Sequence, residues 1–177
     1  MVENLYPQYE FTSPERMNRK EQRMKPGVFT QLYVQLIFSP KYRERLLIED
    51  IRPEVFRYIS GIITKRKNKS IILNGTADHV HILLRLNPDD KISDIVATVK
   101  RSSSLFINEK GWFNKKFHWQ DGYGGFSYGK SQIDRVYNYI LQQEKHHKKR
   151  TFREEYIEIL KKFDIAFENQ YLFEFFD

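Results

Sequence analysis

Hydrophobic and polar side chains alternate near the middle of the chain, in the segment 79–86, with Leu83 as the one exception. Because successive side chains of a β-strand point to opposite faces, this alternation predicts a strand with one aliphatic face. That face carries Val80, Ile82, Leu84 and Leu86. The other face begins with two imidazoles, His79 and His81, which the strand would hold side by side.

The pattern on either side of this strand predicts five further elements. In chain order these are a strand at 29–38, a helix from 53 to about 65, a strand at 70–73, a helix from about 93, and an irregular strand or bulged loop at 117–128. Pro53 suits the start of a helix, and the turn residues 74–78 join the second strand to the histidine strand as a hairpin. The order βαββαβ predicts an α+β fold, a ferredoxin-like sandwich with an antiparallel sheet and helices on one face.

Two C-terminal helices are predicted after these elements, and each begins at a capping pattern. Ser131 is followed three residues later by an aspartate, and Thr151 three residues later by a glutamate. We therefore predict helices at 131–149 and from 151 to about 162. The tail 171–176 is too apolar to stay in water and is expected to dock on this subunit or on a partner.

The helix predicted at 131–149 has two distinguishable faces. Its apolar stripe is predicted to consist of Ile133, Val136, Tyr137, Ile140 and Leu141. Positions i, i+4 and i+7 share a face, so Tyr139, Gln143 and His146 form an adjoining stripe. Tyr139 therefore has two interpretations: an amphipathic side chain at the edge of the core, or a functional hydroxyl beside two polar groups.

Composition limits the class of protein and indicates the compartment in which we expect it. With 177 residues, 40% apolar and 15% aromatic, the chain can build one globular core. Residues 1–23 are polar and lack an apolar period, which predicts a flexible N-terminal extension before a single domain at 24–177. The absence of cysteine excludes disulfides, thiolate zinc sites and cysteine nucleophiles, and suits the reducing cytoplasm, where we expect the protein. No apolar run approaches about 18 residues and no signal segment is present, so we expect neither a membrane span nor secretion.

The net charge of +7 indicates a polyanionic partner. Residues 151–177 carry seven acidic and three basic side chains, so the positive excess lies upstream. Basic residues interleaved with aromatic ones can track a phosphate backbone and stack bases. We predict DNA contacts for Arg43, Lys100 and Arg101, against the alternative that each lies on an ordinary solvated face.

The two imidazoles and the tyrosine carry the candidate chemistry. Neutral imidazoles held side by side can bind one divalent cation; the alternative is two polar residues on the solvated face of a half-buried strand. A tyrosine hydroxyl can attack a phosphodiester when an ion stabilises the phosphate charge. Magnesium prefers oxygen ligands and imidazole suits several transition metals, so Mg²⁺ and Mn²⁺ both stay candidates.

Four sequence blocks carry a resemblance to a known family. They are IFSPKYR at 37–43, DHVH at 78–81, WQDGYGGFS at 119–127 and YILQQEKHHK at 139–148. Over about 31–156 the chain resembles the single-tyrosine HUH transposases, the group that includes minimal insertion-sequence transposases and those associated with repetitive extragenic palindromes. The blocks occur in the order in which the family has them.

The resemblance implies a role for each of these residues. It makes His79 and His81 metal ligands, Gln143 the third ligand, and Tyr139 the nucleophile. It implies cleavage of single-stranded DNA at hairpin-bearing element ends, with a 5′-phosphotyrosine and a free 3′-hydroxyl, followed by strand transfer. It also implies a homodimer that pairs the histidines of one subunit with the tyrosine helix of the other, which nothing in the sequence itself indicates. Apart from the resemblance, His146 shares the helix face of Tyr139 and lies in a basic run, so it would act as a base behind Tyr139, as an extra ligand, or as a phosphate contact.

Two other classes of protein remain open at this point. One is a domesticated, noncatalytic binder of single-stranded DNA or RNA on the same scaffold, although its central strand would be expected to carry aromatic residues where this chain has histidines. The other is a metal-dependent nuclease that uses water and leaves Tyr139 with a structural role.

Overall fold

A four-stranded antiparallel sheet forms the centre of the computed structural model, which describes residues 27–147, 150–168 and 172, the side chain of Arg43 excepted. The strands are β1 Leu32–Phe38, β2 Lys69–Gly75, β3 Val80–Leu86 and β4 Gly124–Tyr128. Their order across the sheet is β2-β3-β1-β4, and each neighbouring pair is antiparallel. The predicted hairpin and the predicted ferredoxin-like α+β fold are confirmed.

Helices cover both faces of this sheet. They are α1 Arg52–Lys65, α2 Ile92–Lys110, α3 Ile133–Leu141, α4 Gln143–His147 and α5 Phe152–Lys162. The first two pack on the aliphatic face of β3, where Val80, Ile82 and Leu84 are buried. The C-terminal helices pack on the face that carries the histidines, because α3 and α5 both contribute apolar side chains there. None of the helices in these described ranges is long and apolar enough to cross a membrane.

A tight hairpin brings His79 to the start of β3. The amide of Thr76 donates to the carbonyl of His79 at 3.1 Å. A Cβ atom on Gly75 would lie 2.2 Å from the same carbonyl oxygen, closer than real Cβ contacts come. Glycine is therefore required at position 75 for the two strands to approach each other beside the first histidine.

The prediction of one helix at 131–149 was wrong in two respects. The helix is interrupted at Gln142, and residues 148–149 lie outside the described ranges. The side chain of Asn74, on β2, donates to the carbonyls of Ile140 and Leu141 at 2.9 and 3.2 Å, which removes two acceptors that a continuous helix would use. The predicted cap at Ser131 is absent, because Ser131 lies inside a short 3₁₀ turn, Lys130–Gln132, that precedes α3. At the start of that turn the Gln132 side chain accepts from the backbone amide of Gly129.

The predicted apolar stripe of this helix needs one further correction. Ile133, Val136 and Ile140 are buried as expected. Leu141 is 53% exposed, because the helix ends there and the buried stripe ends one residue earlier.

The second capping prediction is confirmed and can be tested. The Glu154 amide donates to the Thr151 hydroxyl, and the Glu154 carboxylate accepts from the Thr151 amide at 2.8 Å. Replacing Thr151 by Ala should lower the free energy of unfolding by about 1 kcal/mol, because an amide at the first turn of α5 loses its acceptor. Urea denaturation measures this loss. Ser131→Ala is the matched control, with an expected change within about 0.5 kcal/mol; equal losses in the two variants would contradict the assignment of the cap.

The ends of the chain are described only in part. The predicted extension 1–23 lies outside the described residues, so the domain boundary stays a prediction. Of the apolar tail at 171–176, Leu172 alone is described, and it is buried against Ile37, Phe126 and α5. This contact lies within one chain.

Candidate active site

Two histidines of β3 meet under the C-terminal helices. His81 lies in the strand opposite Ile37 of β1, and His79 directly precedes the strand. Their ring centroids are 5.0 Å apart, and both side chains are fully buried. A solvated position for the pair is therefore wrong, because α3, α4 and α5 cover this face.

His79 is held with one ring nitrogen turned into the site. Its Nδ1 lies 2.8 Å from the Asp78 carboxylate and 2.9 Å from the Thr76 hydroxyl. Burial lowers the pKa of His79, against the opposite effect of its hydrogen bond to Asp78. The Phe152 ring stacks on the imidazole at 4.1 Å. A neutral ring with its proton on Nδ1 leaves the Nε2 lone pair available as a ligand.

A carboxylate that the sequence interpretation missed lies between the histidines. Glu155, on α5, is only 6% exposed. Its two oxygens lie 3.7 Å from His79 Nε2 and 3.6 Å from His81 Nε2. Ligand atoms of the three residues lie within 4.8 Å of one another, a spacing at which one ion could bind them all. Burial alone would raise the pKa of the Glu155 carboxyl, but the neighbouring imidazoles lower it overall, so it is ionised.

The amphipathic pattern of α5 contained a signal, not used in the sequence interpretation, that Glu155 is buried and needs a partner. The buried stripe of this helix contains Phe152, Tyr156, Ile159 and Leu160. Position 155 falls on the same stripe, since it is three residues after Phe152 and four before Ile159. An acidic residue on a buried stripe needs a partner, and this could have been read from the sequence.

Gln143 extends the same cluster from α4. Its Nε2 donates to Glu155 Oε1 at 2.8 Å, which fixes the orientation of the amide. Its Oε1 then lies 3.1 Å from His79 Nε2. Both facing atoms carry lone pairs once His79 has its proton on Nδ1, so a cation between them would relieve their repulsion. The structure therefore brings Gln143 together with the predicted histidines.

The residues present fit a divalent cation. His81 Nε2 is buried and, within the described ranges, has no hydrogen-bond partner. Two imidazoles, one carboxylate and one amide oxygen converge on the same space. Such a mixed nitrogen and oxygen set suits a divalent transition metal and accepts magnesium when water completes the shell.

Tyr139 lies at the edge of this cluster. Its hydroxyl donates a hydrogen bond to Glu155 Oε1, and its ring centroid is 6.1 Å from that of His81. Burial, and then the negative charge of Glu155, raise the pKa of Tyr139 above its usual value. The half-buried hydroxyl is therefore protonated and oriented by the carboxylate.

The two histidines of α4 have different surroundings. The exposed ring of His146 lies 5.2 Å from the Tyr139 ring. His147 is closer to the ligand cluster, with Nε2 2.7 Å from Glu155 Oε2 and 3.1 Å from Gln143 Oε1. His147 therefore orients Glu155, a role that the sequence interpretation did not give it.

The three residues predicted to contact DNA are not gathered at the cluster. Lys100 donates to the carbonyls of Gln120, at 2.6 Å, and of Gly122, and burial lowers its pKa to about 8. Arg101 is exposed on α2, and the backbone of Arg43 lies in a short 3₁₀ turn after β1. Lys100 thus supports the loop before β4, and DNA contact by any of the three stays a prediction.

Sheet and site together define a class of protein. The sheet has the strand order β2-β3-β1-β4, and a histidine, hydrophobic, histidine motif lies at the start of β3. A carboxylate and a tyrosine lie beside this motif. Residues 28–143 match the family model described as Transposase IS200 like. The chain belongs to this family, which confirms the resemblance found in the sequence.

Individual relatives and solved structures agree with this membership. The transposase for insertion sequence element IS200 of Salmonella typhimurium is 26% identical over 114 residues, which cover 61% of this chain and 74% of the relative. The ISDra2 transposase TnpA of Deinococcus radiodurans is 26% identical over 124 residues, 66% of this chain and 87% of the relative.

Two solved structures share the fold. The crystal structure of a Deinococcus radiodurans protein aligns with a TM-score of 0.55 and 22% identity, over 69% of this chain and 98% of that one. A REP-associated tyrosine transposase bound to a REP hairpin aligns with a TM-score of 0.53 and 15% identity, over 71% of this chain and 74% of that one.

Proposed function

We propose that this protein is a metal-dependent transposase that cleaves and rejoins single-stranded DNA at element ends through a 5′-phosphotyrosine. One observation carries the proposal: the Tyr139 hydroxyl is hydrogen-bonded to the carboxylate of a His79, His81 and Glu155 cluster that fits a metal ion. A nucleophile, a ligand set and an orienting acceptor thus occupy one place.

The proposed reaction needs no external energy source, because each phosphodiester linkage that breaks is replaced by another. Tyr139 Oη attacks the phosphorus, the bond to the 3′ oxygen breaks, and the tyrosine proton ends on the released 3′-hydroxyl. A second 3′-hydroxyl then attacks the phosphotyrosine, which frees Tyr139 and rejoins the strand. His79, His81, Glu155 and Gln143 would hold the ion, Mg²⁺ or Mn²⁺, which when bound supplies stabilisation of the phosphate charge.

Glu155 and His147 position the nucleophile in this proposal. The carboxylate accepts the hydrogen bond of Tyr139 through Oε1, while Oε2 accepts from His147 at 2.7 Å. A carboxylate held at both oxygens cannot rotate away from Tyr139, so the attacking oxygen is oriented before DNA arrives.

The proposed partner is single-stranded DNA with hairpin ends, bound by a homodimer in the cytoplasm. Two observations support the DNA partner: the net charge of +7, and a fold neighbour whose structure was solved on a REP hairpin. Phosphate contacts supply most of the affinity in such complexes and make it depend on salt.

A covalent-adduct assay tests this function. The protein is incubated with labelled single-stranded DNA from the ends flanking its gene, with Mn²⁺ or with EDTA, and run on a denaturing gel. We expect a DNA band shifted by the mass of the protein, with Mn²⁺ only. Cleavage without an adduct would overturn the proposal in favour of a nuclease that uses water, and binding without either product would favour a noncatalytic DNA-binding protein.

We propose that each chain completes its own site, in place of the pairing between subunits that the resemblance implies. Tyr139 contacts Glu155 of the same chain, and α3 is anchored by Val136 and Ile140 in the core and by the Asn74 side chain at its end. A mixture of His79→Ala and Tyr139→Phe proteins should therefore form no more adduct than the two variants form separately. Restoration to a quarter or more of wild-type adduct would instead indicate tyrosines shared between subunits.

A further inference from the structure

Two polar side chains, the buried Gln35 and the partly buried Tyr128, form a hydrogen-bonded chain with His81. Gln35 lies on β1 between its two partner strands, opposite Leu83 of β3 and Phe126 of β4, and is 1% exposed. Its Nε2 lies 2.8 Å from His81 Nδ1. Its Oε1 accepts a hydrogen bond of 2.7 Å from the Tyr128 hydroxyl.

This chain decides which nitrogen of His81 carries the proton. An amide N–H can only donate, so His81 Nδ1 accepts and the ring proton of the neutral imidazole lies on Nε2. Nε2 is the atom that faces Glu155 at 3.6 Å. A ligand nitrogen needs a free lone pair, so His81 in this arrangement cannot bind an ion through Nε2.

His79 has the opposite arrangement. Its Nδ1 faces the Asp78 carboxylate at 2.8 Å and its Nε2 faces the Gln143 amide oxygen at 3.1 Å, and both of these partners can only accept. The shorter contact, to a charged acceptor, is the stronger hydrogen bond, so the single proton of the neutral ring lies on Nδ1 and Nε2 keeps its lone pair for an ion. The two histidines therefore differ in their tautomers. The proton of His79 already lies where metal binding through Nε2 requires it, on Nδ1, whereas the proton of His81 lies on Nε2.

We propose that Gln35, supported by Tyr128, is the positioning residue that sets the tautomer of His81, and that its amide turns over when a metal ion binds. In the ion-bound arrangement the His81 proton lies on Nδ1 and donates to Gln35 Oε1, and Gln35 Nε2 donates to the Tyr128 oxygen. The number of protons is unchanged. The inference rests on the proposed function only in taking His81 as a metal ligand.

Tyr128 suits both arrangements. Burial raises its pKa to about 12, so the group stays a hydroxyl at neutral pH. A hydroxyl donates in one arrangement and accepts in the other, as a carboxylate or an ammonium could not. The far end of the chain can thus reverse together with the amide.

Nitrogen NMR of the full chain tests the tautomer directly. Protein labelled with ¹⁵N in histidine is measured by long-range ¹H–¹⁵N correlation, first without metal and then with Zn²⁺, a diamagnetic probe. We expect His81 to change from the Nε2–H to the Nδ1–H form, while His79 is Nδ1–H throughout. An Nδ1–H form of His81 before metal is added, an unchanged Nε2–H form in the Zn²⁺ complex, or no Zn²⁺ binding would each overturn the inference.

Mn²⁺ affinity, measured from the electron paramagnetic resonance signal of the free ion, separates positioning from packing. Gln35→Leu should weaken binding by about 10–100-fold, the usual effect of removing the partner of a ligating histidine. Gln35→Glu offers only acceptors and should bind at least as tightly as the wild type. Tyr33→Phe is the matched control, since its hydroxyl lies on the same strand face, buried and, in the described part of the chain, without a hydrogen-bond partner; its affinity should stay within about twofold.

The outcome of these measurements does not depend on the DNA reaction. Equal Mn²⁺ affinity for Gln35→Leu and wild type, or an equal loss for Gln35→Leu and Gln35→Glu, would overturn the role of Gln35 and leave the transposase proposal intact. If the tautomer changed as predicted but no DNA adduct formed, the transposase proposal would be overturned and the role of Gln35 would stand.

Discussion

Replacing Tyr139 by phenylalanine should abolish the covalent DNA adduct while the protein stays folded and still binds Mn²⁺. The substitution removes one oxygen atom, the proposed nucleophile, and one hydrogen bond to Glu155. Loss of a nucleophile typically lowers the rate by at least about a thousandfold, far more than the loss of a hydrogen bond in binding. The measurement is the rate of adduct formation on a denaturing gel, beside circular dichroism and Mn²⁺ titration of the same variant.

Tyr137→Phe provides the matched control for this prediction. Tyr137 lies two residues earlier in α3, packed at the edge of the core cluster beneath that helix. It should keep adduct formation within about threefold, because mutations away from the reacting groups act mainly through stability. If Tyr139→Phe cleaved DNA as fast as the Tyr137 control, the tyrosine mechanism would be wrong.

Glu155→Gln should weaken Mn²⁺ binding at least about tenfold and lower adduct formation with it. The glutamine side chain has the same shape, so packing on α5 is kept, but the negative charge facing His79 and His81 is lost. Charge on the ligands is a main determinant of divalent-ion affinity. Mn²⁺ affinity is read from the free-ion signal, and the adduct assay is run at a Mn²⁺ concentration near the dissociation constant of the wild type, where weaker binding lowers occupancy.

Glu158→Gln, three residues later on the same helix, controls for a general effect of charge. Glu158 is on the outer side, paired with Arg150 and with Lys162. Exposed pairs of this kind contribute little, so its Mn²⁺ affinity should equal that of the wild type. A Glu155 variant that bound Mn²⁺ as tightly as this control would exclude the carboxylate from the metal site.

The pattern of a short segment was sufficient to predict those structural features that depend on neighbouring residues alone. The alternation at 79–86 predicted β3, its aliphatic face and the adjacent imidazoles, because a strand separates odd and even positions whatever surrounds it. The capping box at Thr151 likewise predicted the start of α5, since its hydrogen bonds link residues three apart. These features depend on short stretches of chain.

Family resemblance and helix periodicity together selected Tyr139 and Gln143. Their four-residue spacing puts them on one side of a helix, and they remain neighbours at the ligand cluster although the helix is interrupted between them at Gln142. The interruption itself was not predictable from the helix sequence. It depends on Asn74, which is 66 residues away along the chain from Ile140, whose carbonyl it binds.

The composition of the proposed metal site was decided by tertiary structure. Glu155 comes from a helix whose own pattern shows only an acid on an apolar stripe, and its partners His79 and His81 are on a distant strand. Gln35 and Tyr128 join the site because β1 lies between β3 and β4, a strand order that no local pattern contains. The sequence by itself thus determined the strand and the paired imidazoles, which follow from local periodicity, and the candidate tyrosine, which follows from periodicity together with the family resemblance. The carboxylate, the helix break and the proton position that we propose for His81 depend on contacts between distant segments, which only folding brings together.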